Sequence, residues 1–154
     1  MNVSKDFEEL FAFFNARKVK ALIVGGFAVA FHAKPRFTKD IDLWIEPTPE
    51  NATRLLAALG DFGFGSLDLN VEDFIHPGRI VQLGHPPNRV DLMTSVKGLE
   101  FEQAWENRVE GRYGNETVFY LGKSELMRNK ELVARPQDHT DLEWLKSSPS
   151  KQNR

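Results

Sequence analysis

GGFAVAFHAKPRFTKDIDLWI, residues 25 to 45, opens on paired glycines and closes on a strand-like run that carries Asp40 and Asp42. Side chains alternate between the two faces of a strand. Asp40, Asp42 and Trp44 therefore fall on one face, and Ile41, Leu43 and Ile45 on the other. The second set explains the strand as one wall of a core. The aspartates need another reason, because aspartate is depleted in strands and a buried charge is costly unless paired or bound to metal. Two carboxylates roughly 7 Å apart along one strand face repel each other unless a cation sits between them. Hard divalent ions such as Mg²⁺ take oxygen ligands of this kind. Asp91 repeats the pattern in RVDLMTSV, residues 89 to 96, between Val90 and Leu92. Any one of these aspartates fits a solvated strand edge equally well; the three together point to one shared metal site.

Upstream, VKALIVGG, residues 19 to 26, predicts a short buried strand ending in the paired glycines. FAVAFHA, residues 27 to 33, predicts a short helix stopped before Pro35, since the residue preceding proline is pushed out of the α region. A strand that turns directly into a helix exposes backbone N–H groups at the positive end of the helix dipole, a geometry that receives phosphate. Gly25 and Gly26 lack Cβ and would let a ligand approach the main chain. A glycine pair alone is as well explained by a tight turn. An aspartate pair in the next strand makes the phosphate reading much stronger.

Working outward, Phe7, Leu10, Phe11 and Phe14 follow helical spacing behind Ser4 as N-cap. PENATRLLAALGDFG, residues 49 to 63, predicts a helix with proline in its first turn. VEDFI could be a single helical turn. RIVQLGHP and RVDLMTSV read as two strands joined through HPPN, which implies an antiparallel pair. EFEQAWENR predicts a helix, ETVFYLG a strand and SELMRNKELVA a long helix, before Pro136 interrupts the pattern. QDHTDLEWLK resumes it with Asp138 placed as N-cap. This alternation predicts an α/β (α+β) domain on a small mixed sheet flanked by helices.

The 154 residues fit one domain, expected over residues 1–146, with a polar tail at 147–154. A net charge of −2 advertises no global nucleic-acid or membrane surface. The absence of cysteine excludes disulfides and thiolate metal sites. Asp6, Glu8 and Glu9 interrupt any secretory leader, and no apolar run reaches the roughly 20 residues that span a bilayer. A cytoplasmic location without a membrane partner is expected.

The glycine pair, short helix and R-x-T-x-D-x-D run of GGFAVAFHAKPRFTKDID resemble the signature of the nucleotidyltransferase-fold superfamily. The sequence is most similar to its small bacterial single-domain members, which include relatives of abortive-infection toxins of toxin–antitoxin systems. Asp91 matches the third carboxylate of that superfamily. KELVARPQDHTDLEWL resembles its K-x4-R-x2-D-x2-D helix segment, with Lys130, Arg135, Asp138 and Asp141 at the motif positions. One departure is Gly26, where many members carry serine.

This resemblance implies metal-dependent transfer of an NMP from an NTP to an acceptor (RNA, protein or a small molecule), with release of pyrophosphate. Asp40, Asp42 and Asp91 would be the catalytic residues and hold Mg²⁺ or Mn²⁺. Gly25, Gly26, Arg36, Thr38, Lys130 and Arg135 would contact the nucleotide. The alternatives are a non-catalytic module that binds nucleotide or a partner on the same fold, and an antitoxin-like structural protein. A homodimer or a partner protein could complete so small a site.

Other candidates have plainer readings. Lys130 and Arg135 also suit a helix C-terminus, where cations stabilise the dipole, and Asp141 reads as a helix partner of Asp138. His32, His76, His85 and His139 show no ligand spacing. Trp44, Trp105 and Trp144 read as core anchors. Arg79 and Arg89, flanking HPPN, read as exposed hairpin charges.

Overall fold

Leu22, Ile23 and Val24 are sealed from solvent, and this short apolar run forms a middle strand of the sheet. The computed structural model describes residues 4–35, 40–65, 67–84 and 88–151. Strand β1 (Ala21–Val24) lies in a 6-stranded mixed sheet of order β3-β4-β2-β1-β6-β5. Its neighbours are β2 (Ile41–Ile45), antiparallel to it, and β6 (Glu116–Tyr120), parallel to it. Beyond β2 come β4 (Val90–Met93), parallel to β2, and β3 (Ile80–Leu83), antiparallel to β4. The expected antiparallel pair is therefore present, although Arg36, Thr38, His85 and most of the HPPN connection lie outside the described residues.

Helix α1 (Lys5–Ala16) begins where Ser4 caps it and buries Phe7, Leu10, Phe11 and Phe14, the stripe read from the sequence. Its aromatic face meets Tyr113, with Phe11 at 5.5 Å and Phe7 at 6.3 Å between ring centroids. Helix α3 (Pro49–Leu59) packs beside α1 and buries Ala52, Leu55, Ala58 and Leu59. Ile23, Ile41, Leu43, Ile45 and Leu92 belong to the same buried cluster, and shortening such a leucine to alanine costs about 2–5 kcal/mol. Asn51 is buried without penalty, since it accepts from the Lys20 N–H at 2.8 Å and donates to the Lys20 and Glu46 carbonyls at 3.0 Å.

The opposite face of the sheet is also covered. Helix α4 (Phe101–Glu106) sets Phe101 edge-on to Trp44 at 5.1 Å and Trp105 against Phe119 at 5.2 Å. Trp44, 2% exposed, is the core residue expected from the sequence, although it shares its strand face with Asp42.

Four readings are corrected. The first strand stops at Val24, and both glycines form the start of helix α2 (Gly25–His32) rather than the end of a strand. Helix α3 ends at Leu59, and residues 60–64 form an irregular turn in which Gly63 adopts a φ of +113°, a value glycine tolerates. A further strand, β5 (Val109–Tyr113), pairs antiparallel with β6 through a tight turn at Gly114 and Asn115. Helix α5 (Lys123–Val133) ends as predicted, but α6 (Pro136–Ser147) starts on Pro136. Arg135 is its N-cap residue. Asp138 sits three residues on and accepts the Arg135 N–H at 3.0 Å, the acidic half of a capping box.

Candidate active site

At one edge of the sheet β1 ends while β2 and β4 begin. The register places Val24 opposite Asp42, and Asp42 opposite Asp91. Asp40 directly precedes β2, and Arg89 directly precedes β4. The topology thus gathers three carboxylates from two parallel strands beside the turn that launches α2. Gln82 of β3 extends the row, opposite Asp91 and exposed.

Gly25 is the hinge of this arrangement. Its φ of +66° is left-handed, and a Cβ there would collide with Asp42 Oδ2. Only glycine lets the main chain turn from β1 into α2 with the Asp42 carboxylate pressed against it. Gly26 follows in the first turn of α2, partly exposed. The helix N-terminus and the aspartates consequently face one space, and no described side chain caps the helix.

The charges here are not balanced. Burial, then the neighbouring Asp91 carboxylate, then Asp40 push the Asp42 carboxyl up to about 6. Arg89 is the counter-charge: its guanidinium lies 2.8 Å from Asp40 Oδ2, 3.1 Å from Asp91 Oδ1 and 3.2 Å from Asp91 Oδ2. The hydrogen bonds it donates to Asp91 and the charges of Asp91, Asp40 and Asp42 hold the guanidinium above its ordinary value. Among the described residues, one guanidinium, that of Arg89, faces the three carboxylates, an excess of negative charge.

That excess suits a divalent cation. The donor set is all carboxylate oxygen, which matches Mg²⁺ or Mn²⁺. The Gly25 position leaves Asp42 Oδ2 room that any side chain would fill, and Arg89 shows that a cation is accepted between Asp40 and Asp91. Among the described residues, no group of three acids or histidines is already drawn together as a metal cage. With Arg89 inserted, the carboxylates are spaced around a guanidinium instead.

The sequence matches no protein-family model and no curated protein. Solved structures do resemble it. The lincomycin-bound lincosamide antibiotic adenylyltransferase LnuA aligns over 96% of this chain and 99% of its own, with 16% identity and a TM-score of 0.53. The antibiotic-resistance factor ANT(2'')-Ia aligns over 92% of this chain and 79% of its own, with 17% identity and a TM-score of 0.55. An antigenic nucleotidyltransferase-like protein from Paracoccidioides brasiliensis aligns over 94% of this chain and 76% of its own, with 20% identity and a TM-score of 0.57.

The fold is that of the nucleotidyltransferases. On this nucleotidyltransferase fold, Lys130 and Arg135 lie at the junction of α5 and α6, which both contact α2. Lys130 is 6% exposed, with its ammonium 3.1 Å from Asp138 Oδ1 and 3.0 Å from Asp141 Oδ2. It is no exposed helix-end cation. Asp141, read as a helix partner of Asp138, instead shares that lysine and accepts from Gln137 at 3.0 Å. Arg135 is largely exposed and binds Asp138 at 2.9 Å. Burial would raise the Asp138 carboxyl, but bonds from the Arg135 side chain and backbone and from Lys130 outweigh it and hold it well below the usual range.

Arg89 is the residue of this cluster that the sequence reading misplaced. It is no free hairpin charge but a member of the site. The signal was present: Arg89 and Asp91 stand two apart, and residues two apart along extended chain share a face. His76 pairs with Glu72 at 2.8 Å, and His32 is buried with Nε2 2.7 Å from the Leu121 carbonyl oxygen.

Proposed function

We propose that the chain is a metal-dependent nucleotidyltransferase that moves an NMP from an NTP, such as ATP, to an acceptor hydroxyl and releases pyrophosphate. The observation supporting this most is the meeting of Asp40, Asp42 and Asp91 with the Gly25 turn at one sheet edge. Asp40, Asp42 and Asp91 would hold Mg²⁺ or Mn²⁺. A divalent ion bound there supplies Lewis-acid stabilisation of the entering and leaving oxygens. The chain's own groups do the rest. Backbone N–H groups of Gly25 and Gly26, at the start of α2, hold the outer phosphates. Arg135 neutralises charge that builds on pyrophosphate, and Lys130 fixes Arg135 through Asp138. Arg36 and Thr38 belong to the nucleotide-binding motif. The acceptor oxygen bonds to the α-phosphorus as the bond to the α–β bridging oxygen breaks. The acceptor's proton passes to Asp91.

The likeness to LnuA and ANT(2'')-Ia, whose structures include lincomycin and adenylyl-2''-tobramycin, makes a small hydroxylated molecule the first acceptor to test. A toxin-like role on tRNA or protein is the second, prompted by the R-x-T-x-D-x-D resemblance. The test uses α-³²P-labelled NTPs with Mg²⁺ and three acceptor pools: aminoglycosides and lincosamides, tRNA, and a cell extract. Acid-stable label is expected with the intact chain and absent with Asp40→Ala/Asp42→Ala. Saturable NTP binding with no label in any pool would instead identify a non-catalytic nucleotide-binding module.

A further inference from the structure

Arg89 contacts three carboxylate oxygens, one on Asp40 and both on Asp91. These oxygens belong to two of the three carboxylates a divalent ion would need, so a guanidinium and a metal compete for them and, as like charges, repel each other there. The surroundings of Arg89 differ from those of a permanently buried ion pair. Its side chain is 31% exposed, whereas that of Lys130 is 7% exposed between its two aspartates. The Arg89 main chain is fixed, since its carbonyl accepts the Ile41 N–H at 3.1 Å. Among the described residues, the side-chain bonds of Arg89 go to Asp40 and Asp91, so the guanidinium can rotate toward solvent while the strand stays in place.

We propose that Arg89 is a resident counter-ion that holds the carboxylate cluster together and is exchanged for the divalent cation. This rests on the metal-binding reading of Asp40, Asp42 and Asp91 given above. Like charges that close repel, and a partly exposed guanidinium offsets that repulsion without the desolvation penalty of a buried pair. The arrangement lowers the affinity of the nucleotide-free protein for metal, because each ion that enters competes with Arg89 for the same carboxylates and is repelled by its charge. Metal occupancy and the position of Arg89 are then two readings of one equilibrium.

The test titrates Mn²⁺ alone, with free Mn²⁺ followed by electron paramagnetic resonance, into the wild type, Arg89→Gln, Arg89→Lys and Asp42→Asn. Circular dichroism verifies that each variant is folded. Arg89→Gln is expected to bind Mn²⁺ about ten-fold more tightly than the wild type, a shift well within the reach of one ion pair. Arg89→Lys should fall between them. Equal or weaker binding by folded Arg89→Gln, with Asp42→Asn still weakening it, overturns the counter-ion while leaving the metal site standing. Absence of Mn²⁺ binding in every protein overturns the metal site itself. A measurement on the wild type alone removes any dependence on variant folding. The Arg89 Nε–H nuclear magnetic resonance signal should move as Mg²⁺ saturates the protein, and a stationary signal at saturation overturns the exchange.

Discussion

Two clusters of acids and bases lie near each other in this fold, and they are built on opposite principles. At the α5–α6 junction, Lys130 and Arg135 face Asp138 and Asp141, so cations and carboxylates balance. Asp138 and Asp141 are buried almost completely, and the charges satisfy one another. At the sheet edge, Asp40, Asp42 and Asp91 share Arg89, and Asp42 is pushed up to about 6 because its surroundings disfavour its charge. A balanced cluster holds helices together. An unbalanced one carries a standing cost in stability, which is what a site awaiting a cation is expected to show.

The contrast can be broken first at its chemical end. Asp42→Asn should lower transfer activity by about 10³- to 10⁴-fold, about 4–5.5 kcal/mol of barrier, in a steady-state assay with labelled NTP. Its melting temperature should not fall. The balanced cluster should behave in the reverse way. Lys130→Met removes the ammonium shared by two buried carboxylates, and chemical denaturation should register a loss of about 3–5 kcal/mol. Gly25→Ala joins the two effects, since a left-handed φ costs about 1–2 kcal/mol outside glycine and the new methyl meets Asp42. Reduced stability and reduced activity should appear together there.

The smallest effect is in pH. The folded chain holds the Asp42 proton more tightly than the unfolded chain, whose carboxylate titrates near about 3.9. This contribution to stability is therefore present at low pH and lost as pH rises through about 6. Metal-free Asp42→Asn should lack this decline and melt about 2–4 °C above the wild type at pH 8. A wild-type melting curve with no more decline between pH 4 and 6 than the variant would remove the imbalance from the argument.

The sequence exposed these two regions unequally. The β1–α2–β2 block was legible because a period of two separates Asp40 and Asp42 from Ile41, Leu43 and Ile45, and because glycine marks the turn. The α5–α6 cluster was only half legible. Spacing placed Lys130 near a helix end, but nothing local shows that α6 folds back to bury it. Strand β5 was missed for a reason of its own. Its Val-Glu-Gly-Arg-Tyr alternation is diluted by charges on the open face of an edge strand and by Gly111, a residue that weakens strands. The glycine is explained only in three dimensions: a Cβ there would lie 2.8 Å from the Tyr120 ring and 3.2 Å from that of Phe31.

The pairing of Asp42 with Asp91 also has a consequence in time. β1 and β2 are close in sequence and pair antiparallel, whereas β2 and β4 pair parallel across a long intervening segment. Closing that longer loop places the β2–β4 contact later in folding. A repulsion between these carboxylates incurred only beyond the rate-limiting barrier weakens the finished protein without delaying its formation. Relief of that repulsion by Asp42→Asn should slow unfolding and leave the folding limb of a chevron plot where it was.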